Sequence, residues 1–315
     1  MTALEWLLES DASIRWQTLR DLCDAPAEVV GAERARVAAE GWGARLLALQ
    51  NADGLWEGGA LFPGRNGQPL PWNRDGGQPW TATAYSLVQL QEFGVTPDDD
   101  RVRRAVELVR DNCRWENAGQ PFFEGEVEPC INGMVVSLGA YFGQDVEGVV
   151  DRLLGEQLDD GGWNCEVENG SVRGSFNTTI RVLEGLLEHE HATGGSAHAR
   201  AVRRRGEEYL LERRLLWRKS TGEVIDPAFE QFSYPTRWHY DVLRGLDYFR
   251  ATGERPDAMV GEAIELVRSK QQLDGTWLLE NTHKGAVHFT MDAGDGHPSR
   301  WNTLRAMRVL RWSDR

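Results

Sequence analysis

The sequence predicts an all-α fold, an (α/α)6 toroid in which six inner helices alternate with six outer ones. A turn motif repeated in fixed register, a set of matching helix starts and a sorting of segments by charge predict it. The turn motif is KQQLDGTW, ending at Trp277, with further copies LQNADGLW ending at Trp56 and EQLDDGGW ending at Trp163. Gln50, Gln157 and Gln271 are each followed at +3 by Asp, at +4 by Gly and at +6 by Trp. Amphipathic runs such as GWGARLLALQ and AIELVRSKQQ precede the motif, and the Asp-Gly pair supplies the chemistry that ends a helix. The Gln amide is thus placed to bond free carbonyls at a helix C-terminus, with the Trp packing back over the turn.

Between the copies, a large or apolar residue followed by small polar ones marks six helix starts, at Trp16, Trp80, Cys130, Phe176, Trp238 and Trp301. Phe176, Ile180, Leu183 and Leu187 then recur at helical spacing, as do Trp238, Val242, Leu246 and Phe249. Segments 78–91 and 129–144 contain no charged residue, whereas 99–111 and 199–214 are crowded with Arg and Glu. The first kind are expected inside and the second facing water. The short helix expected at 4–8 completes the last pair as an outer element. No linker-like tract interrupts the chain, so one domain over 1–315 is expected.

A hydrophobic content of 41% suits a large core, and a formal charge of −14 opposes binding to nucleic acid or an anionic membrane. No uncharged stretch reaches the roughly 18 residues of a membrane span. The N-terminus lacks a basic region followed by an apolar one, and the expectation is a soluble, cytoplasmic protein without an integral membrane segment. Cys23, Cys113, Cys130 and Cys165 fit no CxxC pattern and are expected to be reduced.

Gln-x-x-Asp-Gly-x-Trp repeats punctuating helix pairs resemble the QW motifs of squalene and oxidosqualene cyclases, whose toroid the protein prenyltransferase β subunits share. The resemblance covers nearly the whole chain, at the length of one such domain. Conventional class II cyclases use Asp-x-Asp-Asp as their acid. The nearest stretch here, Pro97-Asp98-Asp99-Asp100, lacks the first Asp and reads as a charged helix start. No Asp-Asp-x-x-Asp site for magnesium diphosphate is present either.

The prenyltransferase β subunits open one inner helix with Asp-x-Cys and the next with Tyr-His-Thr, and the Asp, Cys and His hold a zinc that activates a thiol. The corresponding stretches look like Glu128-Pro129-Cys130 and Phe176-Asn177-Thr178. The resemblance implies zinc as a candidate cofactor, with Glu128 and Cys130 as ligands. Asn177 is a poor zinc ligand, so either Cys165 or His239 is needed to complete the set.

The cluster RWHYD offers Arg237, His239, Tyr240 and Asp241 as candidate catalytic residues, since a carboxylate beside an imidazole can orient or charge it. Trp80, Asn177, Thr178, Trp238, Trp301 and Asn302 are candidate substrate contacts at the helix starts, where Asn and Thr also suit capping and aromatic faces suit an apolar or cationic group. Trp72 is a further aromatic candidate. Two long loops, 56–78 and 280–299, read as lids, the second carrying His283, His288 and His297.

The expected function is that of a terpene cyclase/prenyltransferase-like enzyme acting on an isoprenoid-like or other apolar small molecule in a central aromatic cavity. Two alternatives stand beside it. Polysaccharide lyases of this shape combine Asn, His, Tyr and Arg, types that Asn177, His239, Tyr240 and Arg237 supply. A non-catalytic small-molecule-binding or scaffold protein would keep the cavity alone.

Overall fold

The computed structural model describes residues 1–65, 68–71 and 74–314, so Trp72 lies outside the described residues. The fold is all-α. Its helices are α1 (Ala3–Leu8), α2 (Ala12–Asp21), α3 (Ala27–Ala35), α4 (Gly41–Ala48), α5 (Thr83–Phe93), α6 (Asp100–Asn112), α7 (Pro129–Tyr141), α8 (Glu147–Gly155), α9 (Phe176–Thr193), α10 (Ala197–Leu211), α11 (Val242–Ala251), α12 (Gly261–Ser269) and α13 (Arg300–Ser313). A strand pair of two residues each, β1 (Gly64–Arg65) with β2 (Gln68–Pro69), is antiparallel. No helix among the described residues is long and apolar enough to cross a membrane.

Capping decides where the helices begin. α9 starts at Phe176 and α7 at Pro129, beside Cys130, as the sequence predicts. α2 starts well before Trp16, because the Asp11 carboxylate accepts from the Ser13 amide at 2.9 Å and caps the helix there. α11 starts after Trp238, because Asp241 is its cap and Arg237 has a φ of 57° that cannot join a right-handed helix.

Six helices form a succession of neighbours: α2 packs on α5, α5 on α7, α7 on α9, α9 on α11, α11 on α13, and α13 on α2. α4, α8, α10 and α12 pack on α5, α7, α9 and α11 respectively, while α1 touches both α2 and α13. The burial agrees with the charge sorting. α5 and α7 are buried along most of their length, while α6 buries only the stripe Val102, Ala105, Val106 and Val109.

The repeated turns join these layers through bonds that recur in all three copies. The indole nitrogens of Trp56, Trp163 and Trp277 donate to the carbonyls of Leu46, Leu153 and Val267, each at 2.8 Å. The Trp, not the Gln, therefore satisfies the free carbonyl at the helix end. Gln50 and Gln157 instead donate to the carbonyl of their own turn glycine and to that of Ala105 or Val202 in the next charged helix, tying neighbours α4 to α6 and α8 to α10. Gln271 reaches only Gly275, at 3.5 Å. The backbone amides of the three tryptophans donate to Thr83, Thr179 and Thr303, at 3.2, 3.0 and 3.0 Å. Those threonines belong to the helix-start pattern, so the two sequence patterns are halves of one joint.

α7 and α9 approach more closely than the sequence suggests, because Gly133 and Gly185 face each other. A Cβ added at Gly133 would lie 2.7 Å from the Arg181 carbonyl oxygen, and one at Gly185 would overlap the Gly133 carbonyl. Gly185→Ala gains about 1 kcal/mol of helix propensity, but the overlap with a fixed backbone costs about 1–3 kcal/mol or more. A net loss of stability in urea unfolding is expected, where an exposed Gly→Ala change in a helix would give a gain.

Candidate functional site

Two neighbourhoods combine chemistry with enclosure. The first lies at the N-terminal ends of α7 and α9. Glu126 fixes the chain entering α7: its carboxylate accepts from the amides of Val127 and Glu128, and its backbone pairs with the Asn132 side chain in both directions at 2.8 Å. Glu128 and Cys130 are thereby presented on the first turn of α7. Across from them, Asp160 accepts from the Gly174 amide and Asn164 donates to Ser171 and Arg173, closing the loop that carries Cys165.

Glu128, Cys130 and Cys165 each offer one ligand atom, and the three atoms lie within 4.8 Å of one another. This is the one such group of His, Cys, Asp or Glu found among the described residues. The Cys130 thiol donates to Glu128 at 3.5 Å, and Cys165 meets the Thr178 hydroxyl at 3.5 Å. Of the two residues expected to complete the set, Cys165 is the one that lies beside Glu128 and Cys130. The two sulfurs bear on each other's ionisation: the neighbouring Cys165, then burial, pushes the Cys130 thiol up, while the neighbouring Cys130 holds Cys165 down. Two sulfurs and a carboxylate at this spacing suit a borderline-soft ion such as zinc and leave a fourth position open.

His239 takes a different place. Its ring lies between Trp238, at 3.6 Å, and His283, at 3.8 Å and 11° from parallel. Burial, then His283 and Arg244, push the His239 pKa down to about 3; burial, then Arg237 and Arg244, push His283 down to about 4. Both rings are neutral at pH 7, and His239 is too weak a base to match the ideal for proton transfer. His288 is held apart by Ser86, at 2.9 Å.

Asp241 is 1% exposed. One oxygen accepts from the Arg244 amide, the other from the amide and hydroxyl of Ser233. Tyr240 donates its hydroxyl to the Leu215 carbonyl and packs on Phe176 and Phe229, while its amide donates to Asn177 at 2.7 Å. Asn302 bonds the carbonyls of Phe232 and Leu278 and receives Arg305. Asn177, Tyr240, Asp241 and Asn302 are all engaged in holding the backbone. Trp80 and Trp301 are each 3% exposed and Trp238 is 40% exposed, so of these tryptophans Trp238 offers a free face.

The second neighbourhood is a cavity of about 560 Å³ lined from each of α2, α5, α7, α9, α11 and α13. Its wall includes seven arginines, Arg20, Arg34, Arg181, Arg244, Arg250, Arg305 and Arg308, against four carboxylates, Glu92, Glu184, Glu188 and Asp247. Arg244 grips Glu184 through two bonds, at 2.7 and 2.6 Å. Asp247 receives Arg308 and Arg250; burial opposes its ionisation, but Arg308, Arg250 and Arg305 outweigh burial and hold its carboxyl low. Glu92, by contrast, is pushed up by burial and accepts from the Tyr234 hydroxyl at 3.1 Å. Aromatic side chains line it as well, with Tyr234 stacked on Trp301 at 4.4 Å and Trp16, Tyr141 and Tyr248 elsewhere in the wall.

These charges were not anticipated from the sequence, although a signal was there. Arg181, Glu184 and Glu188 fall at 0, +3 and +7 in the otherwise apolar stretch 180–188, one face by helical spacing. The uncharged stretch 78–91 ends one residue before Glu92. No protein-family model matches the chain, and no curated protein matches it.

Proposed function

We propose that the chain is a single-domain (α/α)6 toroid of the terpene cyclase and prenyltransferase type, and an enzyme that holds a zinc ion between Glu128, Cys130 and Cys165. The convergence of those three residues carries the reading. The toroid is supported by the order of helix contacts, which returns from α13 to α2, and by a cavity that draws on six helices. Zinc would act at its open position as a Lewis acid or as an activator of a bound thiol or water. The residues of the chain hold the site: Glu126 and Asn132 set the ligand-bearing turn, Thr178 supports Cys165, and Trp238 offers an apolar face at the same end.

The charged wall constrains the substrate. A hydrocarbon chain seated against Arg181, Glu184 and Arg305 would remove water from charges without replacing it. The isoprenoid-like or apolar part of a substrate therefore belongs against Trp238 at the mouth, with polar groups toward the cavity.

Zinc content is the direct test. Protein purified without a metal-affinity tag is expected to carry about one equivalent per chain, falling below roughly a fifth in Cys130→Ser and in Cys165→Ser. Less than about a tenth of an equivalent in the unaltered protein would remove the metal reading. A second reading, a non-catalytic binder of a polar small molecule, is favoured by the arginine-lined cavity itself. Thermal shift separates the readings: the enzyme reading expects stabilisation by prenyl diphosphates that is lost in Cys130→Ser, whereas a binder at the arginine-lined cavity keeps its response in that variant.

A further inference from the structure

Arg237 stands apart from the other buried arginines. It is 6% exposed, yet its guanidinium makes no hydrogen bond and lies within 4 Å of no carboxylate among the described residues. Arg181, Arg244, Arg305 and Arg308 all have such partners. Its guanidinium lies over the face of Trp80, with the guanidinium carbon 5.4 Å from the ring centroid. Its N–H donors are without a protein partner among the described residues but are not sealed from solvent, so a group that enters beside them can accept from them.

The backbone around it is built to hold it. Arg237 has a φ of 57°, uncommon for a residue with a side chain, and its carbonyl is clamped by Arg181 at 2.7 Å and Arg244 at 3.3 Å. A second unpartnered polar atom lies in the same neighbourhood: Nε2 of His283 is buried without a hydrogen-bond partner, and His283 feels the charge of Arg237. Two further hydroxyls, of Tyr85 and Tyr234, are near enough for their ionisation to respond to Arg237, and burial keeps both protonated.

We propose that Arg237 and His283 form a binding site for a monocarboxylate on a flat, apolar body, with the guanidinium gripping the carboxylate as a fork. A planar fork matches a carboxylate in two parallel bonds. The choice of one negative charge follows from the surroundings: a single free guanidinium balances one charge, and the nearby Glu92 opposes a second. The flat body follows from Trp80 beneath the guanidinium and from the stacked rings of Trp238, His239 and His283. The site contains none of Glu128, Cys130 and Cys165, so it stands whether or not zinc binds.

The test uses benzoate, acetate and inorganic phosphate as probes, followed by the NMR signals of the His239 and His283 rings. Benzoate is expected to shift the His283 signal saturably, acetate more weakly, and phosphate not at all. Arg237→Asn, whose side chain tolerates the left-handed backbone, is expected to weaken benzoate binding at least about tenfold. Arg237→Lys keeps the cation but not the fork and is expected to fall between; it also serves if the Asn variant does not fold. Equal benzoate affinity in a folded Arg237 variant, phosphate binding as tight as benzoate, or no saturable shift at all overturns the proposal. Loss of zinc in Cys130→Ser leaves the expected result unchanged.

Discussion

Trp163→Ala is expected to lower the unfolding free energy by about 3–5 kcal/mol, the cost typical of removing a fully buried tryptophan. Trp163 has no exposed surface, and its ring nitrogen is the partner of the Leu153 carbonyl. The alanine variant opens a cavity between α8 and α9 and leaves that carbonyl unpaired. Gln271→Ala supplies the contrast, since this glutamine makes only a long bond in its own turn and has none to a second helix. It is expected to change stability by less than about 0.5 kcal/mol. Urea unfolding followed by circular dichroism checks both, and a loss below about 1 kcal/mol for Trp163→Ala would contradict the joint described for these turns.

Asp247→Ala is expected to cost about 3–5 kcal/mol for a different reason, since it strands positive charge that is already out of water. Arg308 and Arg250 bond this carboxylate, and Arg305 lies 3.9 Å away. Because these arginines hold the folded-state pKa below its usual value near 3.8, the carboxylate contributes stability that is complete above that value. That contribution fades as the pH falls below about 4 and the unfolded chain takes up the proton first. Stability measured from pH 7 down to pH 3 should therefore drop less steeply in Asp247→Ala than in the unaltered chain, once the constant offset is removed.

The fold was legible where one residue type had a single use. The Asp-Gly turns, the tryptophans that follow them and the threonines at helix starts each served a local geometry, and the helices lie close to where those signals put them. The group of Glu128, Cys130 and Cys165 was half legible: Glu128 and Cys130 are neighbours in sequence, but Cys165 joins them only because two separate loops are strapped toward each other. Arg237, His239, Tyr240 and Asp241 read as a catalytic cluster because they are adjacent in the chain. In three dimensions they point to different partners, since a left-handed residue and a helix cap turn the backbone between them. The charged cavity was obscured because its members are spread over six helices, each contributing few charges. The facing glycines, Gly133 and Gly185, lie 52 positions apart and carry no local pattern that pairs them.

The packing of α13 against α2 also sets an order of events. Arg308 bonds Gln17 at 3.0 Å across 291 positions of sequence, and Arg311 reaches the Asp21 carbonyl at 2.8 Å. At roughly 5–20 residues per second, a ribosome takes roughly 15–60 s to make the chain between these partners. Helices α2 to α11 can pair with their neighbours as they emerge, but one flank of α2 has nothing to rest on during that interval. The packing of α13 on α2 is thus the most non-local of these contacts, and a partly made chain leaves that flank of α2 uncovered.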